Sequence, residues 1–383
     1  LSLSALLALA IFTPVPAAAQ DSDIEVLRVA LDELRSDYET RIAELERRLA
    51  VAEQNAAQAT YAAQQPAVAP TPSGSTSSYA TGNSAFNPAI GVVFQGFLNG
   101  FEGPGQDGEG FAVGETELIM TGNVDDKFTA YLTAALAFED GESELEVEEA
   151  WIETTALPAG FSARFGRMFS AIGYLNPKHS HTWDFSDQPL PYQAFLDGRY
   201  VDNGVQMRWL APTNLYLELG GELMQGEDDP SGIGASTLFT NVGGDVGTDH
   251  SWLAGTSYLD LNDTTSLATA HLVWKWAPNG NWKQRNFIFQ AEYLENRIFG
   301  TDEGWYAQAV YQPIPRWRVG ARLDGLRLVD EDPKRQTVMV DWSNSEFSRL
   351  RLQFTNNQTG PADVAEWSLQ YIHSIGAHGA HTF

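Results

Sequence analysis

The sequence contains no cysteine, which rules out a disulfide framework, a thiolate metal site and a cysteine nucleophile. Beyond its first residues it has no apolar run of the roughly 18 residues that a membrane-crossing helix needs. Basic charge is scarce: 23 Lys and Arg stand against 50 Asp and Glu, a net charge of −27. Nucleic acid is excluded as a partner on that ground, because phosphate binding needs a basic surface. Acidity alone says little more, since many soluble proteins share it. Also missing are a G-x-S-x-G elbow, an H-E-x-x-H helix and a phosphate-binding Gly-Lys loop. Scattered Ser, His and Asp make no site without spacing to support them, so neither an enzyme nor a cofactor is expected.

What is present falls into four pieces. Leu1 to Phe12 is apolar and is followed by Pro14, Pro16 and Ala17-Ala18-Ala19. This is the hydrophobic region and small-residue cleavage site of a secretory signal peptide, assigned to residues 1–19. Residues 20–55 carry a helical seam: Ile24, Leu27, Leu31, Leu34 and Tyr38, resuming at Ile42, Leu45, Leu49 and Ala52. The 3-4 spacing, with one 11-residue stutter and flanking Glu and Arg, predicts a parallel homo-oligomeric coiled coil. A lone helix could not bury that stripe, though one docked elsewhere in the molecule is the competing reading. Residues 56–86 are rich in Ala, Gln, Pro, Ser, Thr and Gly and read as a flexible linker.

Residues 87–383 change character. Sixteen short stretches alternate apolar and polar residues with period two, bounded by turn residues. In the stretch starting at Trp317, residues Trp317, Val319, Ala321 and Leu323 alternate with Arg318, Gly320, Arg322 and Asp324. Further on, Leu350, Leu352 and Phe354 alternate with Arg349, Arg351 and Gln353. Terse turns such as GNVDDK, ALPAG, LAPTN and QPIPR alternate with longer acidic loops such as FEGPGQDGEG, EDGESE and GEDDPSGIG. The longest connection spans 169–202.

That asymmetry predicts a transmembrane β-barrel rather than a sandwich, with lipid outside and charge inside. An interior so charged implies water, because unpaired buried charge is costly. Aromatics at strand ends predict interfacial girdles: Trp151, Phe161, Trp209, Trp274, Trp276, Trp305, Trp317, Trp342, Phe347 and Trp367. Leu145 and Val147 share a face with Glu149, which predicts a bulge near Glu148–Glu149. The expected fold is therefore an all-β barrel of about sixteen antiparallel strands behind an α-helical coiled coil.

Several stretches carry a resemblance to Gram-negative outer-membrane porins. They include FNPAIGVVFQGFLNG (86–100), VEEAWIETTALPAGF (147–161), GRMFSAIGYLN (166–176) and HSHTWDFSDQPLPYQAFL (179–196). More narrowly, the chain resembles coiled-coil-bearing porin-like proteins sometimes labelled TonB-dependent receptors. The receptor label implies a plug and a larger barrel, for which this length leaves no room. The porin resemblance implies a trimer of water-filled pores with the third extracellular loop folded inward. It also implies insertion by barrel-assembly machinery, with terminal Phe383 as signal, and contact with outer-membrane lipid and lipopolysaccharide.

The candidate constriction is the segment after the fifth strand, with Lys178, His179, His181, Asp184, Asp187, Asp197 and Arg199. Arg164, Arg167 and Arg208 flank its base, and Arg318, Arg322, Arg349 and Arg351 form a basic wall. Acidic loop and basic wall would set a transverse field tuning ion selectivity; bracing of neighbouring strands is the competing role for these arginines. The spacing of His179 and His181 (HSH), with Asp184 near, suits a shared Zn²⁺, and His378 and His381 (HGAH) form a second histidine pair. H-x-H pairs are also common without metal. The acidic loop clusters at Glu102, Asp107 and Glu109, at Glu139 and Asp140, and at Glu227, Asp228 and Asp229 suit Ca²⁺ or Mg²⁺ bridging lipopolysaccharide, or plain solvation. The function expected is passive diffusion of small hydrophilic solutes or ions. The alternatives are a zinc uptake channel using the loop histidines, and a structural outer-membrane tether.

Overall fold

The computed structural model describes residues 88–102, 109–139, 142–226, 232–261, 265–297, 302–358 and 363–376. The signal peptide, coiled coil, linker, His378, His381 and Phe383 lie outside them, as do Asp107, Asp140 and the 227–229 cluster.

Seventeen strand segments form one closed antiparallel sheet. Strand β1 (Ala89–Glu102) pairs on one side with β17 (Val364–Gly376), and on the other with β2 (Gly110–Val113) and β3 (Thr116–Asn123). The ring continues through β4 (Phe128–Glu139), β5 (Glu142–Thr154), β6 (Phe161–Phe169), β7 (Val201–Leu210) and β8 (Tyr216–Met224). It closes through β9 (Ala235–Val246), β10 (His250–Leu261), β11 (Thr265–Trp276), β12 (Asn286–Asn296), β13 (Asp302–Ile314), β14 (Trp317–Arg327), β15 (Lys334–Ser345) and β16 (Ser348–Gln358). Because β2 and β3 are two parts of one wall strand, the barrel is sixteen-stranded. The break falls where Glu115 leaves the ladder to accept a hydrogen bond from Ser180 at 3.0 Å. Closure leaves no free sheet edge, the condition for a sheet to stand in hydrocarbon.

Gly91 pairs with Gly376, so both ends of the barrel chain lie at one rim. The two-residue turns 315–316 and 346–347 lie at that same rim. Loop lengths at the two rims are less unequal than their composition suggests. The strands around Asp140 extend until Glu139 pairs with Glu142, and the APNGNW turn lengthens to 277–285 around a 3-10 turn at Pro278–Gly280. Acidic side chains at a rim do not end a ladder; only the loss of backbone partners does.

Trp317, Val319, Leu323, Leu350 and Phe354 face outward and are exposed, while Arg322 and Arg351 are each 1 % exposed inside. Trp317 and Trp342 sit side by side near the turn rim, ring centroids 6.2 Å apart, and Phe161 stacks on Trp209 at 6.1 Å. Trp305 and Trp367 lie toward the opposite rim. Trp151 is not in a girdle: it faces inward, buried, with Nε1 donating to Glu149 at 3.1 Å and its ring stacked on Tyr131. The reason is the expected bulge. Glu149 pairs with Thr133 and Val147 with the next residue, Ala134, leaving Glu148 as the extra residue. Across it the facing of the strand resets, so Val147 and Ile152 point out while Glu149 and Trp151 point in.

Candidate functional site

Segment 170–200, between β6 and β7, folds into the barrel. Wall carboxylates capture its first turn. Glu222 accepts Ser170 Oγ at 2.6 Å and the Ala171 N–H at 2.8 Å; Glu292 accepts the Tyr174 N–H at 2.7 Å and the Tyr192 and Tyr306 hydroxyls at 2.9 Å. Gly173 is required there: its φ is +68°, and a side chain would collide with Tyr192 and Glu292. A 3-10 turn follows at Ser180–Thr182, then helix α1 (Leu190–Leu196), ended by Asp197 in the left-handed conformation. The first turn of α1 rests on β13, where Gly304 leaves room for Pro191.

Two linings form around the segment. Ile172, Leu175, Tyr192 and Tyr200 join Met168, Met224, Leu259, Leu267, Leu294 and Tyr306 in an apolar cluster inside the barrel. Part of the interior is thus an apolar core, which the charge of the lining alone did not lead one to expect. The charges avoid the penalty by pairing. Each apolar side chain so buried stabilises the inward fold by roughly 1.5–3 kcal/mol.

The basic wall of β14–β16 meets the segment directly. Arg318 bonds Asp184 at 2.8 Å and Asp341 at 2.7 Å; Arg322 bonds Asp187 at 2.7 Å and Asp324 at 3.0 Å. Arg335, not singled out from sequence, adds a bond to Asp187 at 2.9 Å. Arg349 donates to the His181 carbonyl at 2.7 Å, and Arg351 to the Trp183 carbonyl at 2.8 Å and to Asp341 at 3.3 Å. Burial opposes charge on Asp187, but Arg322 and Arg335 outweigh it and hold its carboxyl below the usual range. Contact pairing thus replaces a field acting across open water. Arg164 and Arg208 do not reach the segment: Arg164 pairs with Glu153 at 2.6 Å under the Trp151 ring, and Arg208 bonds Gln206.

Opposite stands an acidic wall formed by Glu115, Glu117, Glu148 and Glu149. His179 Nε2 lies 2.9 Å from Glu149 Oε2, and His179 Nδ1 lies 3.3 Å from Glu117 and 3.5 Å from Glu148. His181 Nδ1 lies 2.9 Å from Glu117 Oε1, and Arg199 bonds Glu148 Oε1 at 2.9 Å. Burial disfavours a charged His179, yet the surrounding carboxylates hold its pKa well above normal. Asp184 is not part of this group; Arg318 holds it on the other wall. Glu117 and Glu148 were not picked out from sequence. The only signal was the bulge, which turns two successive carboxylates inward.

Between the segment and β1–β7 remains a cavity of about 450 Å³, lined by Glu115, Glu146, Glu148, Asp197 and Arg199 together with Gln95. Closed barrel, girdles and inward segment together decide the class. The fold is that of the outer-membrane porins. OprB of Pseudomonas putida superposes with a TM-score of 0.58 at 8 % identity, covering 76 % of this chain and 94 % of that one. OmpTdeltaL8, a loop-deletion mutant of the Vibrio cholerae outer-membrane protein OmpT, gives 0.54 at 10 % identity, covering 75 % and 99 %. An anion-selective porin from Comamonas acidovorans gives 0.53 at 12 % identity, covering 75 % and 99 %. In sequence, an uncharacterized protein of Aquifex aeolicus is 29 % identical, covering 77 % of this chain and 74 % of that one. No family model matches the chain. Within this porin fold, the histidines sit on the acidic wall and the aspartates on the basic one.

Proposed function

We propose that the protein is an outer-membrane channel for passive diffusion of small hydrophilic solutes, narrowed by segment 170–200 and selective for cations. The observation that carries this reading is the sign of the charges that face the remaining cavity. The arginines of β14–β16 are occupied by Asp184, Asp187, Asp341 and backbone carbonyls. Among the described residues, the charged lining of the cavity is four carboxylates, Glu115, Glu146, Glu148 and Asp197, against one arginine, Arg199. Carboxylate linings favour cations. A homotrimer, held by the barrel and the 20–55 coiled coil in the periplasm, completes the proposal. The histidines favour no uptake role, because the group they join is buried against Glu117, which is 0 % exposed.

Planar-bilayer recording tests this. In a KCl gradient the reversal potential should report cation preference, and Glu115→Gln with Glu146→Gln should reduce it. Absence of conductance steps would overturn the channel; an anion-selective potential would overturn the selectivity.

A further inference from the structure

The geometry points to a binding site for one divalent transition-metal ion of the zinc type, formed by Glu117 on β3, Glu148 on the β5 bulge and His179 on segment 170–200. The site does not depend on whether the barrel conducts. Glu117 Oε2, Glu148 Oε2 and His179 Nδ1 are each buried and make no well-aligned hydrogen bond, lying against one another at ion-pair distance instead. They converge within 4.8 Å of one another. Two carboxylate oxygens and a ring nitrogen brought together out of water are costly unless a cation sits among them, and a single Nδ1 proton of His179 could serve only one of the two oxygens well.

The spacing fits a small tetrahedral cation. His179 Nδ1 lies 3.3 Å from Glu117 Oε2 and 3.5 Å from Glu148 Oε2. A tetrahedron with zinc-to-ligand arms of about 2.1 Å has edges of about 3.4 Å. Calcium would want six to eight oxygens at about 2.3–2.6 Å, which a histidine-bearing trio does not offer.

The supporting contacts are also in place. Glu149 engages the far ring nitrogen of His179, the carboxylate–histidine arrangement that orients an imidazole toward a metal. His181 holds the second oxygen of Glu117, and Arg199 holds that of Glu148. His181 is therefore a positioning residue and not a ligand, and Asp184 is excluded by its bond to Arg318. Glu148 also lines the cavity, which provides the entry path and room for a water in the fourth position. Glu117 is fully buried, so the ion is a resident that clamps the segment to the acidic wall rather than a solute in transit.

The test uses full-length protein in detergent, stripped with a chelator, then titrated calorimetrically with Zn²⁺ while bound metal is counted. Wild type should take up one zinc per chain, with X-ray absorption showing only nitrogen and oxygen ligands. Glu148→Gln and His179→Gln should each lower affinity at least 100-fold, and Glu149→Gln about 10–100-fold. Asp184→Asn should leave it unchanged. Circular dichroism and heat-modifiable migration check that each barrel is folded. Should His179→Gln fail to fold, near-isosteric Glu148→Gln decides alone, and zinc should slow proteolysis of segment 170–200 in wild type but not in that variant. Absence of stoichiometric zinc in wild type, as for a cluster that merely holds an imidazolium, overturns the site. So does equal affinity in Glu148→Gln.

Discussion

Arg322 shows what a single residue does in this lumen. It is 1 % exposed, yet its guanidinium is shared between Asp187 on the segment and Asp324 on its own strand. Arg322→Met would strand the buried carboxylate of Asp324 and leave Asp187 to Arg335 alone, and uncompensated buried charge costs about 3–5 kcal/mol. A lower urea midpoint for unfolding in detergent is the expected outcome. Replacing Arg322, Asp187 and Asp324 together with apolar residues of similar volume should recover most of it. A pH effect follows from Asp187, whose folded pKa lies below its unfolded one. Its contribution is complete above about pH 4 and is lost as pH falls toward the depressed folded value. Proteolysis of segment 170–200 should therefore quicken as pH falls below about 4, and Arg335→Met should make it complete at a higher pH than in wild type. The inward arginines were legible in the sequence because they alternate with lipid-facing Leu and Trp. That Asp184 and Asp187 would face them was legible too, but not which carboxylate each arginine holds in contact, since period-two alternation says which face a residue takes and nothing about the path of a long connection.

At the scale of the element, β5 is the informative strand. Alternation read from Leu145 and Val147 disagrees with Glu149, and that conflict made the bulge legible. Its consequence for Trp151 was missed, because a girdle assignment from strand-end position alone ignores the facing that one extra residue resets. Deleting Glu148 should restore an unbroken ladder with Leu145, Val147 and Ile152 outward and Glu149 and Trp151 inward. The barrel should still assemble and show normal heat-modifiable migration. Arg199 would lose its 2.9 Å partner, and zinc uptake should disappear. A barrel that fails to form on deletion would show the bulge to be needed for closure instead. The sixteen strands themselves were readable because each must present one apolar and one polar face, a demand few other folds make so uniformly.

For the whole molecule, segment 170–200 governs the bore. Its apolar side chains and the Asp184 and Asp187 pairs lie mainly toward the β8–β16 side of the lumen. Its histidines and Arg199 pair with Glu117, Glu148 and Glu149 on β3 and β5, and the acidic cavity remains along β1–β7. Replacing residues 174–196 with a short Gly-Ser connection should raise single-channel conductance several-fold and weaken ion selectivity, read in the same bilayer. Unchanged conductance would place the permeation path elsewhere.

The seam between β1 and β17 carries a consequence for the order of assembly. Gln370 donates to Gln95, 275 residues earlier, and Gln95 in turn donates to Ser180 on the segment. The first and last strands thus meet over a side chain from the middle of the chain. Contacts of such separation form late, after the cost of closing a long loop has been met. Arg351 bonds Gln370 on the same seam and the Trp183 carbonyl on the segment. The segment is therefore a keystone: with it seated, the two free edges find a ready-made bridge, and without it the ring has to zip shut on backbone hydrogen bonds and the direct Gln370–Gln95 contact.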